Sequence, residues 1–144
     1  MSLIRDLKSL RIDSKKFEEF IKFAIVGGSG VLVNMGLLFL LTRFLSVRLE
    51  IASPIAIEVS ILSNFLLNNM WTFRKRQTPI PFWSRLFRYH LVAGLAGIVN
   101  YLVLLVLVNF FGLHDLFSNL IGILMATVVN FTLNSLWTWS VRSS

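Results

Sequence analysis

Six asparagines stand inside otherwise apolar runs of this chain: Asn34, Asn64, Asn68, Asn100, Asn130 and Asn134. A neutral amide offers N–H donors and a carbonyl acceptor, so it binds hydroxyls and other amides, but it is neither a nucleophile nor a proton carrier at neutral pH. The chemistry open to it is recognition, in one of two forms. The amides either tie helices together, each bond contributing about 0.6 kcal/mol and rarely above ~2, or they line a polar path. Asn68 and Asn134 lie about five residues, roughly 8 Å, from the ends of their apolar runs, a depth that suits a lipid headgroup or a sugar.

Other polar and aromatic groups gather near those ends. Trp71 and Trp137 follow the last asparagine of each run, where an indole either anchors a helix in the interfacial belt or stacks on a sugar. Lys22, Arg74, Lys75, Arg76 and Arg88 gather at the same boundary, either as ordinary orientation signals or as a phosphate site. Lys22 and Arg88 stand apart because each occurs at the mouth of an apolar run. Glu58 is an acid within an apolar run, and Arg43 lies at the end of the preceding one. The pair fits an ion pair reached by snorkelling, or a carboxylate whose burial lets it carry a proton. Nothing resembles a phosphate-cradling Gly-Lys-Ser loop, a metal-ligand cluster or a nucleophile beside a histidine. The expectation is a non-enzyme without cofactor or metal.

These groups recur. Asn64-Phe65-Leu66-Leu67-Asn68-Asn69-Met70-Trp71-Thr72-Phe73 is answered, after an offset of 66 residues, by Asn130-Phe131-Thr132-Leu133-Asn134-Ser135-Leu136-Trp137-Thr138-Trp139. The same offset pairs Asn34 with Asn100 and Gly28 with Gly94. Across 23–73 and 89–139 about 15 of 51 positions are identical without a gap, which reads as an internal duplication. Glu58 and Arg43 are replaced together in the second copy, by Leu124 and Asn109.

The elements that position these groups follow from composition. Of 144 residues 56% are hydrophobic and only 15% charged. A soluble domain of this length cannot hide so much apolar surface, so the surroundings are lipid. The net charge of +7 is concentrated between the apolar runs, which points to membrane orientation and away from nucleic acid. Without cysteine there is neither a disulfide nor a thiolate site.

The expected fold is an all-α integral membrane protein forming a single domain over 1–144. Residues 1–22, with Arg5, Lys8, Arg11, Lys15 and Lys16 between apolar residues, are expected to form an amphipathic interfacial helix, the alternative being a basic tail that only fixes orientation. Repeat 1 covers 23–73 with spans 23–45 and 51–73. Residues 74–88 form a cytoplasmic connection, and repeat 2 covers 89–139 with spans 89–112 and 116–139. Lys and Arg crowd the N-terminal segment and the central connection, whereas the first short loop has only Arg43 and Arg48 and the third has none. The positive-inside bias therefore predicts four transmembrane helices as two same-orientation repeats, N-in and C-in. In spans two and four, Ala52, Ala56, Ser60, Asn64, Asn68 and Ser118, Gly122, Ala126, Asn130, Asn134 recur every four residues, giving each a small, polar face. Such a face packs on protein or lines a cavity.

At these residues the chain resembles the GtrA-like family of small four-span membrane proteins. The resemblance rests on Phe20-x-x-Phe23-x-x-Val26-Gly27, on Asn34, and on Ser63-Asn64-Phe65-Leu66-Leu67-Asn68 followed by Trp71-Thr72-Phe73. It covers roughly 17–139, and the second copy departs from it at Thr132 and Trp139. The resemblance implies a role in bacterial surface polysaccharide synthesis: flipping a monosaccharide carried on undecaprenyl phosphate across the cytoplasmic membrane, for a glycosyltransferase on the far side.

The leading expectation is thus a flippase. Lys22 and Arg88, helped by Arg74, Lys75 and Arg76, catch the phosphate, and the asparagines hydrogen-bond the sugar, offsetting the desolvation of its hydroxyls. One alternative is a membrane anchor or partner subunit of a polyprenyl-phosphate glycosyltransferase, with the amides as packing groups. The other is a small cation-coupled exporter centred on Glu58. Four short spans enclose little interior, so a homodimer or hetero-complex is a further expectation.

Overall fold

The computed structural model describes the backbone of residues 2–141 and the side chains of residues 14–141. The expected interfacial face of residues 1–13 lies outside the described side chains. Helices account for nearly all described residues, and none of these is in a strand. Helix α1 runs Ser2–Phe39 and continues as a π-helical turn, Leu40–Phe44. Helix α2 runs Leu49–Leu67 and also ends in a π turn, Asn68–Thr72. Helix α3 runs Phe82–Phe111, and α4 runs Asp115–Leu133 into a third π turn, Asn134–Thr138. Among the described residues, four segments are long and apolar enough to cross a membrane: Ser14–Phe44, Leu49–Thr72, Phe82–Phe111 and Asp115–Thr138.

The chain divides into two compact units, Met1–Arg74 and Lys75–Ser144. Each is a pair of adjacent helices, α1 with α2 and α3 with α4. The turns that close the pairs use left-handed residues at the same offset, Ser46 (φ 51°) and Gly112 (φ 62°). Glycine adopts that conformation without a Cβ penalty and commonly ends a helix there. Serine does so at a cost.

The spans differ from the sequence expectation at their starts. Residues 82–88, expected in the connection, form the first turns of α3, and residues 14–22 are continuous with the first span. The reason is local. Pro81 ends the extended connection at ψ 151° and neither glycine nor proline recurs before Gly94, so nothing breaks the helix where it meets the headgroups. At 1.5 Å per residue the 30 residues of α3 reach about 45 Å, well beyond a ~30 Å hydrocarbon core. Helix α3 is therefore longer than the apolar slab is thick.

The buried face within each unit is narrow. In the first unit Glu19, Phe23, Val26 and Gly30 of α1 meet Ala52, Ala56, Phe65 and Asn68 of α2 and its π turn. In the second, Tyr89, Val92 and Ala96 of α3 meet Ser118, Gly122, Ala126 and Asn134. Spacings of three and four put the α1 and α3 residues, and Ala52 with Ala56 and Ser118 with Gly122 and Ala126, on one stripe of each helix. The remaining surface is dense in exposed large apolar side chains, among them Leu32, Phe44, Phe110 and Leu116. That pattern suits helices bathed in lipid.

Candidate functional site

The small, polar faces of α2 and α4 lie against the neighbouring helix of their own unit. Ala52 and Ala56 are fully buried in the first, as is Ser118 in the second. Small side chains permit this close approach, and the approach leaves room for polar groups only where they bond or pack.

At the charged end of each unit the π turn is stitched by one device. Thr72 Oγ1 donates to Asn68 Oδ1 at 2.7 Å, and Thr138 Oγ1 donates to Asn134 Oδ1 at 2.7 Å. Asn134 Nδ2 donates in turn to Asn130 O at 3.0 Å and to Asn130 Oδ1 at 2.7 Å. The backbone makes the long i→i−5 bonds of a π turn, Phe73 N to Asn68 O at 2.8 Å and Trp139 N to Asn134 O at 2.9 Å. An amide followed four residues later by a hydroxyl is the spacing that lets the two side chains meet on one helix face. Both pairs are buried, with Asn134 and Thr138 fully so.

Beneath these turns sit aromatic plugs whose burial the sequence pattern does not reveal. Phe73 packs on Phe23 (ring centroids 6.2 Å apart), and Trp139 packs edge-on to Tyr89 (5.8 Å). All four are at most 3% exposed. Their signal in the sequence is that Phe23 and Tyr89 share the helical phase of Val26 and Val92.

Trp71 and Trp137 are, by contrast, 45% and 42% exposed. Each carries a cation from the neighbouring helix: Lys22 Nζ lies 5.7 Å from the Trp71 ring centroid, and Arg88 Cζ lies 5.1 Å from that of Trp137. Arg88 Nη1 also donates to Trp137 O at 2.9 Å, and Lys22 pairs with Glu18. The four side chains that the sequence suggests for phosphate and sugar thus meet as two cation–indole stations, one per unit, each beside a buried Asn–Thr pair. The ring quadrupole holds the cation over the indole while the charged head stays wet.

The other basic residues are placed differently. Arg76 donates through Nη1 to Ser135 O (2.6 Å) and Trp139 O (3.2 Å), and through Nη2 to Ser135 Oγ (2.8 Å). It caps the open carbonyls at the end of α4, where a cation is favoured. Arg74 and Lys75 are exposed. Glu58 is also exposed, two residues beyond the fully buried Ala56 and so on the far side of α2, and Arg43 is exposed in the π turn after α1. Neither belongs to the small, polar face. Glu19 is 6% exposed, a buried acid hidden in the sequence among surrounding lysines.

Of the remaining amides, Asn64 lies against Gly30. A Cβ at Gly30 would stand 2.3 Å from Asn64 Nδ2, and Ser60 Oγ donates to Gly30 O at 2.7 Å. In the second unit the roles exchange helices. Asn100 of α3 lies against Gly122 of α4, where a Cβ would meet Asn100 Oδ1 at 2.2 Å and Asn100 O at 2.9 Å. Both Asn64 Oδ1 and Asn100 Oδ1 are buried without a hydrogen-bond partner among the described residues. Asn34 is half-buried on α1.

The two glycines are not equivalent. Gly122→Ala drives a methyl toward backbone and is expected to cost about 1–3 kcal/mol, whereas Gly30→Ala meets only an amide that can turn aside and should cost under about 1 kcal/mol. Thermal unfolding of both variants in one detergent orders them, and equal costs would show that the Asn100 backbone yields freely.

With this geometry in hand, sequence comparison is decisive. Residues 22–139 match the model of the GtrA/DPMS transmembrane domain. The chain belongs to the GtrA/DPMS transmembrane-domain family. It is a multi-pass membrane protein. One curated relative is a dolichol-phosphate mannosyltransferase of Pyrococcus furiosus, 40% identical over 125 residues. The match takes in 87% of this chain and 35% of that protein, so the chain spans about a third of the relative's length. Both cation–indole stations and both Asn–Thr pairs fall inside the family match.

Proposed function

We propose that this GtrA/DPMS-family chain carries a polyprenyl-phosphate-linked monosaccharide across a bacterial cytoplasmic membrane for surface polysaccharide glycosylation. The observation that supports it most is the pair of cation–indole stations, Lys22 with Trp71 and Arg88 with Trp137. A phosphate linked to a sugar needs a cation and a flat apolar face side by side, and each station offers both. The buried amides beyond each station are neutral hydrogen-bonding groups that lower the cost of taking hydroxyls out of water. The apolar outer surface suits an isoprenoid tail that stays in lipid throughout.

In this reading the charged ends face the cytoplasm, as the Lys and Arg distribution predicts, and the two repeats share one orientation. The chain itself performs no bond chemistry, and the direction of transport follows the donor gradient or the membrane potential.

The test is leaflet exchange. Protein reconstituted in vesicles with a fluorescent polyprenyl-phosphate hexose is expected to speed its exposure to an outside quencher. The Lys22→Gln/Arg88→Gln double variant should lower that rate at least about tenfold, the equivalent of 1.4 kcal/mol. No acceleration by the wild-type protein would sink the reading.

A second reading is favoured by one finding: the Pyrococcus furiosus relative is named as a mannosyltransferase, and most of its length lies outside the match. The chain would then serve as the membrane anchor or partner subunit of a separate polyprenyl-phosphate glycosyltransferase. Stable co-purification with such an enzyme, together with absent leaflet exchange, would favour it.

A further inference from the structure

The two units treat the same asparagine in opposite ways. In the first, glycine at position 30 leaves room for the Asn64 amide between the helices, and Ser60 ties α2 to the Gly30 carbonyl. In the second unit the matching residues are Ala96, Asn130 and Ala126. The Ala96 methyl stands where Gly30 has no side chain, and an alanine at 126 cannot make the tie. Asn130 instead accepts a bond from Asn134 and lines an open notch of about 220 Å³ with Ala96, Gly97, Asn100, Ala126 and Thr127.

This notch is polar at membrane depth. It carries the amides of Asn100 and Asn130 and the Thr127 hydroxyl, and Asn100 Oδ1 is a buried acceptor without a partner among the described residues. An unsatisfied amide oxygen in lipid is costly unless a donor visits it. Farther along the same two helices an apolar pocket of about 300 Å³ follows, lined in part by Val103, Leu107 and Met125. On the opposite side, toward the start of α3, lies the Arg88–Trp137 station.

We propose that the second unit alone holds the sugar ring of the lipid-linked substrate, in the notch beside Asn100 and Asn130, while the first unit, its helices tied through Ser60, contributes its Lys22–Trp71 station and no ring pocket. The inference rests on the reading that the substrate is a polyprenyl-phosphate monosaccharide. The volume is below the roughly 300–1,000 Å³ of drug-sized sites, which fits one ring. The ring's hydroxyls donate to Asn100 Oδ1 and accept from the Asn130 amide.

Gly97 provides the test. A Cβ there meets nothing within 4 Å and Gly97 lines the notch, so Gly97→Leu puts a side chain into the notch from an unobstructed position. Gly94, one turn earlier, is equally open but does not line the notch. Full-length protein in nanodiscs is titrated with radiolabelled polyprenyl-phosphate mannose and, separately, with polyprenyl phosphate. Gly97→Leu should weaken the mannose lipid about tenfold, the loss of one or two hydrogen bonds, and leave polyprenyl phosphate unchanged. Gly94→Leu should change neither.

Unaltered binding by Gly97→Leu, an equal loss for both lipids, or wild-type protein that does not prefer the mannose lipid would each overturn the proposal. Leaflet exchange separates it from the function proposed above. A wild-type protein that moves the lipid while Gly97→Leu binds it normally loses the notch and keeps transport. One that binds through the notch yet moves nothing keeps the notch and loses transport.

Discussion

Trp139→Ala should cost about 3–5 kcal/mol of stability, the range for emptying a site filled by a large buried aromatic. Trp139 is fully buried and makes a T-shaped contact with Tyr89, ring centroids 5.8 Å apart, so its removal leaves a cavity. The control is Trp137→Ala, two residues earlier. Trp137 is 42% exposed and carries Arg88 over its face, and an exposed cation–π contact contributes only about 0.5–1 kcal/mol. Denaturant titration in mixed micelles should therefore rank Trp139→Ala several times more damaging than Trp137→Ala. For the effect on lipid exchange, the order per folded molecule should reverse. Similar stability losses for both variants would contradict this division of labour.

The second large effect belongs to the Asn–Thr pairs. Asn134→Ala removes the acceptor for Thr138 and the donor to Asn130 together, in a site with no access to solvent. Single hydrogen bonds between membrane helices average about 0.6 kcal/mol, but orphaning a buried group costs about 1–3 kcal/mol, so a loss near 2 kcal/mol is expected. The partner belongs to the same turn, and the pair should therefore couple strongly. In a double-mutant cycle, Asn134→Ala with Thr138→Val should cost about 1 kcal/mol less than the sum of the single changes. The Asn68 and Thr72 cycle should give a similar coupling, because its 2.7 Å bond matches that of the second pair. A coupling near zero in both would mean that the π turns hold without their side chains.

Much of the architecture could be read from residue types. Four apolar runs of sufficient length require four membrane-crossing helices, since in lipid the backbone must satisfy itself and the run length sets the span. The 66-residue offset visible in Asn64 and Asn130 recurs in the π turns, in the left-handed residues Ser46 and Gly112, and in the two cation–indole stations. Lys22 and Arg88 could be picked out because they recur at the mouths of runs, and their indole partners because tryptophan is rare and similarly placed.

The starts of the spans were less legible. Hydropathy marks where lipid begins, whereas a helix continues until a residue breaks it, as α3 does back to Phe82. The sequence also groups Arg76 with the other phosphate candidates, although its guanidinium closes the carbonyls at the end of α4. Only the path of the connection brings it there. Nor does the sequence distinguish the buried Phe73 and Trp139 from the exposed Trp71 and Trp137 two residues earlier: a side chain at a helix end turns inward or outward according to what its neighbour leaves open.

The amino-acid order alone determined the solvent, the number of crossings, the periodic polar faces and the family to which the chain belongs, because these depend on composition and on the fixed 3.6-residue turn. The tertiary structure decided which amide is packed between helices and which lines a notch. That choice depends on a single methyl on the facing helix, glycine at 30 against alanine at 96, and a helical period carries no record of what stands across from it.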